Sequence, residues 1–313
     1  MLTLFPLLPL LLALVACVPR YHELGPLDPS ALYTPLPTQH MRVDGVDIAY
    51  VDSGGSGPPL VFIHGLSSYM GFWEYQLPAF TDTHRVLALD LPGYGASGRP
   101  DAPCTPPWYG ELVFHWLDEL SISEAALAGH SMGGQIALTM ALEHPERVSK
   151  LVLSAPAGIE TFAPGYGNWM KDYWHEGRAL HAKEEDLRAT FTTLVFNNTD
   201  DGVERLLEER VRMGQHPSFE GTAVAVSRSV AGMLDYPVAA RLEEVRVPTL
   251  LVFGTRDHMI PNPIFNGGRT RAVAQEGQRR IPDAQLVMIP RAGHTVHHDA
   301  PEAFNAAVKT FLE

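Results

Sequence analysis

Residues 129–134 (GHSMGG) are the segment that most restricts the fold of this chain. They follow an apolar run of strand length and precede a segment of helical composition (MGGQIALTM). The chain must therefore turn sharply from strand to helix at Ser131. The glycines two positions away on either side allow this turn, because they carry no side chain that would collide. A serine hydroxyl on such a turn stands clear of the carboxyl end of the strand.

Other apolar runs predict that this strand belongs to a parallel sheet. Each run is short and ends in Gly, Pro or Asp, and segments of helical length separate several of them. The runs lie within residues 58–65, 84–95, 124–131, 150–156, 247–257 and 284–294. Strands that are apolar throughout and separated by helices indicate a sheet covered on both faces. The predicted fold class is α/β, with a mostly parallel, doubly wound sheet of at least six strands.

Two further features define the predicted domain boundaries. The core begins near residue 41, where two strand-like runs flank Asp44 and Gly45 and indicate a hairpin. Residues 159–241 contain no convincing buried strand but several amphipathic helical segments, which predicts a helical cap inserted between two core strands. The predicted core therefore consists of residues 41–158 and 242–313.

Composition excludes some classes of partner. The net charge is −13, and the sequence has no run of Lys and Arg, which argues against nucleic acid binding. The sequence has neither a zinc-ligand spacing nor a phosphate-binding glycine loop. The two cysteines, Cys17 and Cys104, are too few for a disulfide framework, so stability must come from the core.

The N-terminus predicts export. Residues 1–16 are apolar and uncharged, but they are short for a membrane-spanning helix and contain two prolines, which favours a signal peptide. Residues 14–17 (LVAC) resemble a bacterial lipobox, and this resemblance implies lipid attachment at Cys17 and anchoring in the cell envelope. Simple secretion and an uncleaved anchor are the alternatives. Residues 17–40 are rich in proline and turn formers, which predicts a tether after the lipidated cysteine.

Ser131 needs an adjacent base to act as a nucleophile, and the base needs a carboxylate that fixes its tautomer. His294 directly follows the last predicted strand, at the edge where ligands of open α/β sheets bind. Asp257 ends the strand before it. The chain order Ser, acid, His is typical of a serine on this kind of turn. We therefore predict Ser131 as nucleophile, His294 as base and Asp257 as acid.

Other residues are alternative candidates for the base and for the acid. His297 and His298 are the other candidates for the base, and with Asp299 they are also a weaker candidate for a metal cluster. Asp90 is the other candidate for the acid, although an Asp in a Gly-rich turn usually binds local backbone amides.

The predicted reaction places negative charge on a substrate oxygen, which requires amide donors in fixed positions. The amide of Met132, at the start of the helix, is one predicted donor. The other is the amide of Leu66, after the first central strand, where Gly65 allows close approach of the backbone. We interpret His64 as a structural hydrogen-bonding residue of this loop.

Five segments together resemble the α/β-hydrolase superfamily, in its serine esterase and lipase branch. They are IHGL at 63–66, DLPGYGAS at 90–97, GHSMGG at 129–134, GTRDHMIP at 254–261 and AGH at 292–294. The resemblance covers residues 41–313 and implies the α/β-hydrolase fold, a cap over the site and no metal or organic cofactor. Relatives with Asp in place of Ser131, such as haloalkane dehalogenases, carry out a chemistry that this serine excludes.

The resemblance implies a carboxylic-ester hydrolase that acts on a small hydrophobic ester through an acyl-enzyme on Ser131. A carbon-carbon bond hydrolase and a cofactor-free perhydrolase share the same three residues and remain alternatives. An inactive relative that binds ligands or proteins is an alternative of another class. Aromatic residues of the cap are expected either to line an acyl pocket or to pack against the core. They are Phe162, Tyr166, Trp169, Tyr173 and Trp174.

Overall fold

An eight-stranded sheet forms the centre of the computed structural model, which describes residues 20–313 apart from the side chain of Pro164. The strands are β1 Gln39–Val43, β2 Val46–Asp52, β3 Pro59–Ile63, β4 Arg85–Leu89, β5 Ala125–His130, β6 Val148–Ser154, β7 Thr249–Gly254 and β8 Ala284–Ile289. Their order in the sheet is β1-β2-β4-β3-β5-β6-β7-β8. The predicted hairpin forms β1 and β2, and the six apolar runs form the other strands.

Strands β3 to β8 run parallel, whereas β2 pairs antiparallel with both β1 and β4. Parallel neighbours need long crossover connections, which helices provide here. The α-helices are α1 Pro106–Glu119, α2 Met132–Glu143, α3 Pro164–Tyr173, α4 Glu176–Leu180, α5 Glu184–Thr190, α6 Asp201–Met213, α7 Phe219–Asp235, α8 Thr270–Arg280, α9 Val296–Asp299 and α10 Pro301–Leu312. The predicted α/β class with a mostly parallel, doubly wound sheet is confirmed.

Helices cover both faces of the sheet. Leu127 of β5 packs in a hydrophobic cluster with Ile136 of α2, whereas the next residue, Ala128, packs in a second cluster with Phe304 of α10. Successive side chains of a strand point to opposite faces, so β5 contributes to both clusters. Every residue of β5 is buried, which explains why the strand has no polar alternation.

The helices α3 to α7 lie between β6 and β7, within the residues predicted to form the cap (159–241). In the backbone between these two strands, all of which is described, no strand is present. Among residues 20–313, no helix combines the length and the apolar character needed to cross a bilayer.

Residues 20–38, the described part of the tether predicted for residues 17–40, pack on the cap. Tyr21 is 7% exposed; its hydroxyl donates a hydrogen bond to Glu204 Oε2 of α6 at 2.8 Å, and its amide donates to Glu184 Oε1 of α5 at 3.1 Å. These bonds hold the backbone of the segment against the cap, and such contacts leave no periodic pattern in the sequence. Cys17 and the predicted signal peptide lie outside the described residues.

Glu209 of α6 joins the N-terminal segment, the cap and the core. Its Oε1 accepts a hydrogen bond from the Tyr33 amide at 3.0 Å, and its Oε2 accepts one from the Tyr69 hydroxyl in the loop after β3. Burial raises the pKa of the Glu209 carboxyl, while the bonds from Tyr69 and Tyr33 act in the opposite direction. One carboxylate thus connects three distant parts of the chain.

We expect the Tyr21→Ala variant to lower the free energy of unfolding by about 3 kcal/mol, because it removes a buried aromatic ring. Urea unfolding measures this change. The control is Leu24→Ala in the same segment, where the side chain is 57% exposed and the expected change is within about 0.5 kcal/mol. Small and equal changes in both variants would mean that the segment is a loose tether.

Candidate active site

Ser131 lies on a strained turn between β5 and α2. Its φ is 51° and its ψ is −115°, a backbone conformation that is costly for a residue with a side chain. Its amide donates a hydrogen bond to the Ser154 carbonyl of β6 at 3.1 Å. A Cβ on Gly129 would collide with the Gly133 carbonyl, and one on Gly133 would collide with the carbonyl of Ile63. Glycine is therefore required on both sides of the serine.

His294 and Asp257 form a buried hydrogen-bonded pair at the carboxyl edge of the sheet. His294 Nδ1 lies 3.0 Å from Asp257 Oδ2, and the two side chains are 4% and 0% exposed. They follow β8 and β7, which are adjacent parallel strands. When Nδ1 carries the hydrogen and donates a hydrogen bond to the carboxylate, Nε2 of the neutral ring is free to accept a proton. This is the orientation that a general base requires.

Other hydrogen bonds fix the carboxylate of Asp257. Its Oδ1 accepts from the amides of Met259 at 2.8 Å and Ile260 at 3.0 Å. The Thr270 hydroxyl donates to the backbone carbonyl of Asp257 at 3.0 Å. Both carboxylate oxygens are therefore held, one toward the local turn and one toward His294.

The His294 ring lies beside the serine turn. The ring centroids of His294 and His130 are 4.9 Å apart, and His130 directly precedes Ser131. His130 Nε2 also lies 3.3 Å from the His294 carbonyl oxygen, as a hydrogen-bond donor. In the described structure the Ser131 side chain makes no capping hydrogen bond to α2.

The two predicted oxyanion donors belong to segments that meet at this turn. Met132 is the first residue of α2, so its amide lies at the N-terminus of that helix. The loop after β3 passes close to the turn, since a Cβ on Gly65 would lie 2.9 Å from His130 Nδ1. The assignment of the Leu66 and Met132 amides as donors stays a prediction.

Residues 58–301 match the model of a protein family described as the alpha/beta hydrolase fold. This match covers most of the chain. The chain belongs to the alpha/beta hydrolase family. This chain is 30% identical to the dihydrolipoyllysine-residue acetyltransferase component of the acetoin cleaving system of Pseudomonas putida, over 88% of this chain and 69% of the relative. It is 27% identical to a pimeloyl-[acyl-carrier protein] methyl ester esterase of Nitrosomonas europaea, over 82% of this chain and 96% of the relative.

Solved structures agree with this fold. A probable hydrolytic enzyme of Pseudomonas aeruginosa PAO1 superposes with a TM-score of 0.83 at 24% identity, over 92% of this chain and 99% of the other. The enol-lactonase of Burkholderia xenovorans LB400 superposes with a TM-score of 0.70 at 24% identity, over 88% of this chain and 99% of the other. At this identity the likeness concerns the fold alone.

Asp90, the alternative candidate for the acid, connects the loops that follow β3 and β4. Its Oδ1 accepts a hydrogen bond from the Met70 amide and its Oδ2 one from the Ala96 amide, both at 2.7 Å. Burial raises the pKa of the Asp90 carboxyl to about 6, and the two amide bonds oppose this rise. Both oxygens are engaged by backbone amides, which is the role typical of Asp in such a turn.

His64 has the structural role that the sequence predicts. Its ring is completely buried, and Nδ1 donates to the Gly65 carbonyl at 2.8 Å. Its Nε2 accepts a hydrogen bond from the Leu91 amide at 3.0 Å. Burial lowers the pKa of His64 to about 4, so the ring is neutral at physiological pH.

His297, His298 and Asp299 point to different partners. The His297 ring stacks on Trp73 with centroids 4.0 Å apart, and His298 Nε2 lies 3.1 Å from Glu74 Oε1. Asp299 Oδ2 accepts a hydrogen bond from the Gly293 amide at 2.6 Å. Asp299 therefore fixes the backbone directly before His294, a supporting role that sequence spacing did not reveal.

The aromatic residues of the cap follow the packing alternative. Tyr166 stacks on Phe265, a residue of the core segment 242–313, with ring centroids 4.9 Å apart, and the Trp169 ring lies 5.2 Å from the same ring. Trp174 packs against the hydrophobic cluster that contains Leu127. Tyr166 and Trp169 are 47% and 46% exposed, so they do not line an enclosed acyl pocket.

We expect Asp257→Asn to reduce kcat by up to about 10⁴-fold, because the amide no longer holds His294 in the required tautomer. The control is Asp90→Asn, which should lower stability by about 1–3 kcal/mol by replacing one buried acceptor, with kcat of the folded protein nearly unchanged. Ester hydrolysis and urea unfolding measure the two effects. A normal rate in the first variant and an inactive, folded second variant would assign the acid to Asp90.

Proposed function

We propose that this alpha/beta hydrolase is a carboxylic-ester hydrolase with Ser131 as its nucleophile. The observation that carries the proposal is the strained Ser131 turn beside the buried His294–Asp257 pair. Backbone strain costs stability and persists where function requires it. A buried imidazole that is held by a carboxylate and lies next to the turn carrying a serine matches the requirements of an activated nucleophile.

The first half of the reaction acylates the serine. Ser131 Oγ attacks the ester carbonyl carbon, and its proton passes to His294 Nε2 as the carbon-oxygen bond forms. The carbonyl oxygen becomes an oxyanion, which the amides of Leu66 and Met132 stabilise. The intermediate then collapses, the ester bond to the alcohol breaks, and the alcohol leaves with the proton from His294.

The second half releases the acid. A water molecule transfers a proton to His294 Nε2 and attacks the acyl carbon of the acyl-enzyme. The bond to Ser131 Oγ breaks, and the serine regains its proton from His294. The products are a carboxylic acid and an alcohol, and Asp257 stays ionised while it stabilises the imidazolium that forms in each half.

Named relatives support hydrolysis at an acyl carbon. They include the methyl ester esterase of Nitrosomonas europaea and a putative carbamate hydrolase of Azorhizobium caulinodans, which is 27% identical over 84% of this chain. Their named substrates differ from one another. The relatives therefore support the type of bond cleaved, and the acyl and alcohol groups require experiment.

We expect a fluorophosphonate probe to label the wild-type protein and the Ser123→Ala control, whose altered side chain is exposed, but not Ser131→Ala. A p-nitrophenyl ester series from short to long acyl chains should be hydrolysed with the same dependence on Ser131. A keto-acid with a cleavable carbon-carbon bond is assayed in parallel. Cleavage of the keto-acid without ester hydrolysis would identify a carbon-carbon bond hydrolase, and absence of labelling would indicate an inactive relative.

We further propose that the enzyme is exported and anchored in the cell envelope by lipid on Cys17. The support is the sequence alone: an uncharged apolar stretch that ends in LVAC at residues 14–17. Two or three acyl chains on one cysteine anchor a protein stably, whereas a single chain binds only marginally.

We expect the full chain expressed in a bacterium to incorporate labelled palmitate and to fractionate with membranes, and the Cys17→Ser variant to do neither. Cys104→Ser is the control, since this other cysteine is buried in the core. Wild-type protein that is soluble and unlabelled would exclude the lipid anchor.

A further inference from the structure

A pocket between the cap and the core is lined by an arginine that has no role in the ester hydrolysis proposed for Ser131. Arg210 and Thr222 line it from the cap, on α6 and α7. Ser67 and Ser68 line it from the loop after β3, and Tyr94 lines it from the loop after β4. The pocket therefore lies over the carboxyl edge of the sheet, where Ser131 also lies.

Within residues 20–313, no carboxylate pairs with the guanidinium of Arg210. The guanidinium carbon Cζ of Arg210 lies over the Phe219 ring, 4.5 Å from its centroid. Burial alone lowers the pKa of Arg210 to about 10, with no carboxylate close enough to raise it. Arg210 thus remains positively charged at neutral pH, and its half-buried side chain lines the pocket.

Other arginines of α6 show what is unusual about Arg210. Arg205 forms an ion pair with Glu74, and Arg212 forms one with Glu208 at 2.7 Å. Glu209, the neighbour of Arg210 in sequence, is occupied by the Tyr33 amide and the Tyr69 hydroxyl. Among the described residues, Arg210 therefore has an aromatic ring as its neighbour where Arg205 and Arg212 have a carboxylate.

Thr222 provides a second, independent sign of a missing ligand. The residue is 4% exposed, and within the described part of the chain its hydroxyl has no hydrogen-bond partner. Buried hydroxyls are nearly always hydrogen-bonded. Arg210 and Thr222 line the same pocket, and a cation beside a residue with an unpaired hydroxyl matches an anionic oxygen group, which accepts charge-assisted hydrogen bonds.

The size and position of the pocket indicate which part of a ligand fits. It has room for roughly one or two water-sized groups, so only the end of a ligand can enter it and not a whole substrate. Apolar side chains complete the lining, namely Phe72, Leu206, Met213 and Phe219. Ser67 directly follows Leu66, the predicted oxyanion donor, so the pocket begins next to the expected position of the ester carbonyl.

We propose that Arg210 and Thr222 bind a free carboxylate on the substrate, so that this enzyme prefers esters that carry a second, unesterified acid group on a short hydrocarbon chain. The inference rests on the ester hydrolysis proposed for Ser131 and defines its substrate class. The apolar lining contacts the hydrocarbon chain, and Arg210 neutralises the charge at the end of it.

Matched ester pairs test the preference on each side of the ester bond. Monomethyl adipate is compared with methyl hexanoate, and 4-acetoxybutanoate is compared with butyl acetate, by acid release at constant pH. In one of the two pairs, we expect kcat/KM for the charged ester to exceed kcat/KM for its neutral partner by at least about tenfold. The pair that shows this preference identifies whether the acyl or the alcohol part enters the pocket.

Variants of α6 connect the preference to Arg210. Arg210→Met should abolish it by lowering kcat/KM for the charged ester, and it should keep or raise Tm, because a partly buried charge without a carboxylate partner is removed. Arg212→Gln removes one charge from the same helix but outside the pocket, and it should retain the preference. Should Arg210→Met fail to fold, Arg210→Lys replaces it, with a reduced preference expected because an ammonium group cannot form the same paired bonds.

A binding measurement separates this inference from the proposed reaction. Glutarate should raise the Tm of Ser131→Ala but not that of Ser131→Ala combined with Arg210→Met. If no ester is hydrolysed and glutarate still stabilises the protein through Arg210, the pocket assignment stands and the ester hydrolase proposal fails. The inference is overturned if neither ester pair shows a preference that depends on Arg210, or if chloride or phosphate stabilises the protein as well as glutarate does.

Discussion

The close backbone packing around Ser131 is the constraint on which the rest of the site depends. Its positive φ is possible only because Gly129 and Gly133 let the start of α2 approach β5 and β3 without collision. The strain is held in place by a strand that is buried along its whole length and by the bond from the Ser131 amide to β6. A turn with a less rigid sheet beneath it would relax and lower the hydroxyl into the structure.

The parallel sheet then brings distant residues to the same edge. His294 and Asp257 are 37 positions apart in the chain but follow adjacent strands, and His294 contacts His130 across 164 positions. Each chemically important side chain is supported by a backbone bond near it. Amides of the local turn hold Asp257, and Asp299 holds the backbone before His294. The rigidity of the site comes from these bonds as much as from its own side chains.

The sheet, the cap and the serine turn could be predicted because each leaves a local pattern, namely apolar runs, helical periodicity and paired glycines. The surroundings of α6 could not. Its amphipathic pattern predicts that the charged side chains face solvent, yet Glu209 is buried and binds Tyr33 and Tyr69, which lie 176 and 140 positions away. Arg210 lies in the same region, and its lack of a carboxylate partner among residues 20–313 depends on contacts that no local spacing encodes.

The docked N-terminal segment ties the start of the described chain to the cap. Tyr21 is fixed on both α5 and α6, through its amide and its hydroxyl. Tyr33 adds a third point of attachment through Glu209, which also binds Tyr69 in the loop after β3. Any displacement of α5 or α6 would therefore carry the start of the described chain with it.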